Sequence, residues 1–245
     1  MIQHIEELSI NAWPSLQTLC YDGWLLRFAK GFTRRANSIY PLYPSREDLG
    51  RKITHCEELY RSQHLPVIFK MTPAASPYDL DTVLAGRGYE MEARTSLQVL
   101  DLTDLMPVSS DGITVTRELT GEWLEDALRL NKLNKETSLV FTEILSQIIP
   151  RKLFISFRLN GETAASGLGV IEDGYLGIFD IIVTESHRHQ GHGWQLMMNL
   201  LWFARENGAH KAYLQVLEDN LPAIGLYNRL GFKEIYQYWY RVNHQ

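Results

Sequence analysis

The sequence predicts an α/β fold, α+β in detail: two related domains, each a mixed, mostly antiparallel sheet flanked by helices. Three observations carry this. Asn160-Gly161 and Asp173-Gly174 separate three apolar runs between 152 and 183, the pattern of tight hairpins in an antiparallel meander. Behind the meander, strands alternate with helices, and such crossovers require a mixed sheet. The front of the chain repeats the helix–strand–helix–strand succession of the back, in order more than in letters.

The elements of the back half follow in order. Ile113–Arg117 alternates with β-branched residues and reads as a strand. Thr120 can cap a helix to about Leu133, because Trp123, Ala127, Leu128 and Leu130 recur at helical spacing. A second helix is expected over Thr142–Ile149, stopped by Pro150. The meander then runs through Leu153–Leu159, Ala164–Ile171 and Tyr175–Val183. A long apolar helix covers about Gly193–Glu206, Ala212–Leu217 is a strand, and Pro222–Leu230 is a helix closed by Gly231. Ile235–Val242 is a last strand, with Tyr236, Tyr238 and Tyr240 on one face for core or interface packing.

In front, Arg46–Arg61 is a helix, Leu65–Lys70 a strand, Tyr78–Gly88 a helix and Thr95–Leu100 a strand. These match, in turn, Gly193–Glu206, Lys211–Val216, Pro222–Leu230 and the aromatic last strand. The expected boundary lies in the Asp101–Asp111 joint, giving domains 1–105 and 106–245.

Composition narrows the function classes. With 24 Lys and Arg against 29 Asp and Glu, the net charge is −5, and no global field draws the chain to nucleic acid or anionic lipid. Cys20 and Cys56 are too few to staple the fold and stand near no other cysteine. No apolar run approaches the roughly 20 residues of a membrane helix, and MIQHIEELSINAWP lacks a signal-peptide core. The expectation is a soluble protein of a reducing cytoplasm, with oligomeric state open.

The stretch SHRHQGHGWQLMM (186–198) concentrates the chemistry. His187, His189 and His192 lack the i, i+4 spacing of a helical zinc pair and have no thiol or carboxylate pair beside them, so no metal is expected. Gly191 and Gly193 instead lie between a strand and a long helix, where the backbone can approach a ligand and free helix amides favour an anion. Neither a Walker loop nor a dinucleotide fingerprint fits, because no Gly-Lys-Ser/Thr follows and position 196 is Leu.

Arg188, Gln190, Gly191 and Gly193 do stand in the Arg/Gln-x-x-Gly-x-Gly/Ala pattern of the GNAT acetyltransferase superfamily. Val183 matches the valine that ends that family's fourth strand, and Asn220, Tyr227 and Gly231-Phe232 match its later motif. Residues 113–242 resemble the family throughout. Glu185 departs from it, standing where a proline is common. The front stretch SREDLGRKI has one glycine and two acids, so the chain resembles tandem members with a degenerate N-terminal half and no second cofactor site.

The resemblance implies an acetyl-CoA-dependent N-acetyltransferase with a primary amine as acceptor. Backbone of Ile181, Ile182 and Val183 would pair with the pantetheine arm. Amides from His189, Gln190, Gly191, His192, Gly193 and Trp194, with Arg188 and Asn220, would complete the cofactor site. Tyr227 matches the proton donor to the departing thiolate, with sheet packing as its other reading. Asp180 interrupts the apolar run GIFDIIV; it is the base or ammonium anchor, or else a carboxylate bonded to amides at a strand splay. Glu118 and Glu136 are fallback bases. A non-catalytic acyl-CoA-binding protein, or transfer of another acyl group, stays open. Arg27, Lys30, Arg34 and Arg35, with Trp24 and Asn37, form an acid-free stretch: either a solvated basic face or a face for an anionic acceptor.

Overall fold

The computed structural model describes residues 1–244, which gather into two compact units, 1–96 with 236–244, and Leu97–Ile235. The sequence places a linear boundary at 105/106. In the structure the units instead exchange strand ends: β5 (Glu90–Asp101) and β11 (Lys233–Asn243) each contribute residues to both.

The first unit opens with α1 (Ile2–Ala12), which buries Ile5, Leu8 and Ala12 at helical spacing. Then come β1 (Gln17–Tyr21), β2 (Trp24–Phe28), β3 (Ile39–Tyr40), α2 (Leu49–Ser62), β4 (Val67–Met71) and α3 (Leu80–Gly86). The β1–β2 hairpin, β3 and α1 are additions to the elements expected from sequence. β1 pairs antiparallel with β2, β2 antiparallel with β3, and β3 parallel with β4. The end of β11 lies antiparallel on β4, from Trp239 opposite Met71 to Asn243 opposite Val67. Its tyrosines close a polar knot inside the unit. The Tyr236 hydroxyl donates to Glu6 (2.5 Å), whose other carboxylate oxygen meets Lys70 Nζ at 2.6 Å with both side chains fully buried.

The stretch from 23 to 45, expected as a basic or anion-facing surface, is only partly one: Lys30 and Arg34 are exposed, while others turn inward. Arg27 is 1% exposed, and its guanidinium donates to the carbonyls of Arg35, Ile10 and Trp13. Asn37 is buried and accepts from the amides of Ala29 and Gly31, and the buried Trp24 indole donates to the Ser76 carbonyl. Arg34 pairs with Glu92. Their charges and donors hold loops in place inside the unit, where an unpaired polar group would be costly.

The second unit contains β6 (Ile113–Thr116), α4 (Gly121–Leu130), α5 (Lys135–Gln147), β7 (Arg151–Leu159), β8 (Glu162–Glu172), β9 (Tyr175–Val183), α6 (His192–Glu206), β10 (Lys211–Leu217) and α7 (Leu221–Leu230). α5 starts seven residues before the expected Thr142. Asn134 caps it by accepting from the Thr137 amide, so the polar run Lys135–Leu139 is helical despite its weak apolar pattern. The strand order is β10-β9-β8-β7-β6, antiparallel except for the parallel β9–β10 pair. The sheet is therefore mixed and mostly antiparallel, as expected. α6 packs its Leu196, Met197, Leu200 and Leu201 against Leu153, Ile155 and Leu176 of the sheet, forming the core on which the site is mounted.

Candidate active site

The site grows from the end of β9. Opposite β8, Ile182 pairs with Ser166 but Phe179 pairs with Leu168, so Asp180 and Ile181 together oppose the single residue Gly167. This is a β-bulge. Asp180 takes the left-handed φ of +55°, which is uncommon for a residue with a side chain. Gly167 leaves room for the bulge: a Cβ there would stand 2.4 Å from Ile181 Cδ1.

On the other edge, β10 pairs with β9 only from Lys211 opposite Tyr175 to Leu214 opposite Ile178. Beyond that pair the strands part, and a cleft of ≈ 660 Å³ opens. Ile181, Ile182 and Val183 form one wall, Ala223, Leu226 and Tyr227 of α7 another, and the loop through Gly191 and Gly193 closes the end. A turn of 3-10 helix over Glu185–His187 and the extended Arg188 lead from the strand into that loop.

Gly191 is the N-cap of α6 at φ +87°, with no side chain bonded across the helix end and no acid in the first turn. The first intrahelical bond runs from the Gln195 amide to the Gly191 carbonyl at 3.0 Å, so the amides before it have no partner from a preceding turn. An anion at this helix end meets both N–H donors and a favourable dipole. Glu185 does not oppose it, because its carboxylate turns to Lys132 at 2.8 Å, and that hydrogen bond holds it below the usual carboxylate range. Arg188 orders the loop, its Nε donating to the Val183 carbonyl at 3.3 Å.

All three histidines line the cleft. His187 Nδ1 lies 2.8 Å from the Thr184 hydroxyl, and the His192 ring packs 4.9 Å from that of Phe157. Among the described residues no group of three His, Cys, Asp or Glu side chains could hold a metal ion.

Tyr227, on the inner face of α7, is 9% exposed, and burial pushes its phenol up to about 12. Its hydroxyl therefore stays protonated at neutral pH. Asn220 caps α7, accepting from the Ala223 amide at 3.3 Å, and lines the same cleft. The structure thus brings Ile181, Ile182, Val183, Arg188, His189, Gly191, His192, Gly193, Trp194, Asn220 and Tyr227 to one cavity. Gln190 stands outside the lining, its side chain donating to the Ser186 carbonyl at 3.0 Å. Asp180 is not a lining residue either, and its Oδ2 accepts from Asn131 Nδ2 at 2.8 Å. Glu118 and Glu136 are exposed and outside the lining.

Sequence reasoning missed Arg229 and Gly225. Arg229 stands over the Trp194 ring, 5.8 Å from its centroid, at the mouth of the cleft. Both stand two residues from Tyr227, on another face of α7, so the motif spacing of Asn220 and Tyr227 carried no signal for them.

A mixed sheet split at one strand end, with a glycine-started helix aimed into the split, defines the class the motifs pointed to, an acetyltransferase of GNAT type. Residues 1–241 match the family described as "Probable histone acetyltransferase Rv0428c C-terminal". The chain is 32% identical over 247 residues to the uncharacterized N-acetyltransferase YobR of Bacillus subtilis, covering 98% of each chain. It is similar in fold to a GCN5-related N-acetyltransferase from Kribbella flavida (TM-score 0.74, 16% identity, 99% of this chain and 95% of that one). A tandem GNAT protein from the clavulanic acid biosynthesis pathway is also similar (TM-score 0.65, 16% identity, 98% and 87%). The chain belongs to the GNAT family of N-acetyltransferases.

Proposed function

We propose that this N-acetyltransferase moves the acetyl group of acetyl-CoA to a primary amine of a small molecule or peptide, by direct attack with both substrates bound. The observation that carries the reading is the split between β9 and β10 beside the uncapped start of α6. In this reading the backbone of Ile181, Ile182 and Val183 bonds the pantetheine arm along the parted edge. The amides from His189 to Trp194 hold the pyrophosphate, where glycine at 191 leaves the main chain uncovered.

The chemistry needs a neutral amine, a polarised thioester carbonyl and a proton for the departing thiolate. Asp180, at the bulge next to the cleft wall, accepts the proton of the acceptor's ammonium through water. The amine then bonds to the carbonyl carbon, the carbon–sulfur bond breaks as Tyr227 donates to the sulfur, and the proton that the nitrogen loses on becoming an amide returns through water to the phenolate. Placement supports that role: Tyr227 lines the cleft beside the backbone of Ile181, Ile182 and Val183 that would bind the arm.

The front unit is read as a half without a second donor site. Its helix α2, which precedes β4 in chain order as α6 precedes β10, is capped by Asp48, which accepts from the Arg51 amide at 3.0 Å. Just before it, Asp22 accepts from the amides of Arg46 and Glu47 and from Lys52 Nζ. Amides that would receive a phosphate already face carboxylates.

The test is release of free thiol from acetyl-CoA in the presence of a panel of amino acids, polyamines, aminoglycosides and peptides with free N-termini. Release that depends on one of these amines, with mass gain of one acetyl group on it, supports the reading. Acetylation of an alcohol, or turnover only with a longer acyl-CoA, would replace it.

A further inference from the structure

We propose that Asn131, in the turn between α4 and α5, is the positioning residue for the Asp180 carboxylate. The inference rests on the proposed role of Asp180 and adds the residue that holds it. Asn131 is the C-cap of α4, and its Nδ2 makes two hydrogen bonds, to the Ala127 carbonyl at 3.0 Å and to Asp180 Oδ2 at 2.8 Å. With both amide hydrogens used, the side chain has one orientation. The bond spans 49 residues of sequence and is partly buried, so it ties a helix end to the strand bulge.

The need for such a tie comes from the bulge itself. Asp180 sits at φ +55°, opposite a glycine that offers no side chain to pack against. A carboxylate there has its backbone re-aimed by the extra residue, and a fixed donor selects one rotamer. A neutral amide donor also stabilises the ionised form of the carboxylate, which is the form that accepts a proton.

Three cations of α4, β7 and the α4–α5 turn have carboxylates of their own. Arg129 meets Asp126 at 2.8 Å, Arg158 of β7 meets Glu122 and Asp126, and Lys132 meets Glu185. Lys132 follows Asn131 directly and makes an exposed pair, 77% and 68% exposed, so it serves as an internal control.

The experiment follows the Asp180 carboxylate by carbon-detected NMR from pH 3 to 8 in the full chain labelled at aspartate, with Asp180→Asn assigning the signal. It compares wild type, Asn131→Leu, Asn131→Asp and Lys132→Ala. Loss of the donor is expected to raise the Asp180 midpoint by about one pH unit, the worth of a hydrogen bond to a charged group. Asn131→Asp is expected to raise it further, by placing a like charge alongside, and Lys132→Ala to leave it in place. With the fastest amine of the panel, the acid limb of kcat/KM should move by the same amount, and kcat at pH 7 should fall roughly tenfold, a part of what a positioned base supplies.

Asn131→Asp keeps the shape of the side chain, so it decides the matter if Asn131→Leu fails to fold. A midpoint unmoved in a folded Asn131 variant overturns the proposal. So does a moved midpoint with an unmoved pH profile. Acetyl-CoA titrated into the same samples separates the two readings: a variant that binds it like wild type but keeps its profile sinks the role of Asn131 alone. Wild type that binds no acetyl-CoA sinks the proposed function instead.

Discussion

Gly191 is the residue on which the proposed donor site turns. It takes φ +87° with no atom within 4 Å of a Cβ built on it. Gly191→Asp meets no neighbour; it strains the left-handed backbone, which Asp bears better than most residues, and it places a carboxylate where an anion should sit. The expected result is a folded protein, by circular dichroism, with at least a hundredfold weaker acetyl-CoA binding, about 3 kcal/mol. Tyr227→Phe should keep acetyl-CoA affinity while kcat falls, seen as slower thiol release under saturating donor. Unchanged turnover would leave Tyr227 a packing residue against Phe232. His192→Ala should cost acetyl-CoA affinity no more than about 0.5 kcal/mol, because the proposed binding groups are main-chain amides. These residues differed in how far the sequence exposed them. Gly191, Gly193, Asn220 and Tyr227 were legible because they recur at motif spacing. Asn131 was not, because nothing local marks an asparagine whose partner lies 49 residues away.

At the scale of elements, α7 carries both a wall of the cleft and the proposed proton donor, and its start is capped by Asn220. Asn220→Ala should lower stability by about 1 kcal/mol, read from the denaturant midpoint, and weaken acetyl-CoA binding as the first turn frays. The meander, α6 and α7 were legible from Asn-Gly and Asp-Gly turns, apolar periodicity and a glycine stop. α5 was mis-started because its first turn, Lys135-Glu136-Thr137, has no apolar face; the signal was the cap at Asn134. The bulge at Asp180 was half-legible. A carboxylate inside GIFDIIV announced that the strand does something unusual there, but only the pairing register shows that two residues face one.

Across the whole molecule, the linear division at 105/106 gives way to units that trade strand ends, so the tyrosines of the last strand lie in the front unit. Sequence order cannot reveal that exchange, since an aromatic strand satisfies either core equally well. The front unit's buried pair predicts a large effect: Glu6→Gln leaves the Lys70 ammonium without its counter-charge and should cost about 3–5 kcal/mol in denaturant unfolding. Alkaline stability follows from the buried tyrosines. Burial raises Tyr227 to about 12 and pushes Tyr60 and Tyr89 up as well. Folded pKa values above the unfolded one mean that the native state keeps protons the unfolded chain has lost. Their contribution is complete below pH 10 and disappears as pH rises from there through 12 and beyond. Unfolding midpoints should therefore fall above pH 10, less steeply in Tyr227→Phe.

The proposed function stands or falls with a main-chain cradle at Gly191 for one acetyl-CoA per chain. Isothermal titration of acetyl-CoA into the wild-type chain and into Gly191→Asp tests it most directly. Saturable binding to wild type with one site per chain is expected, and binding weakened at least a hundredfold, about 3 kcal/mol, in the variant. Absence of binding to the wild type, two sites per chain, or equal affinity in a folded Gly191→Asp would contradict it.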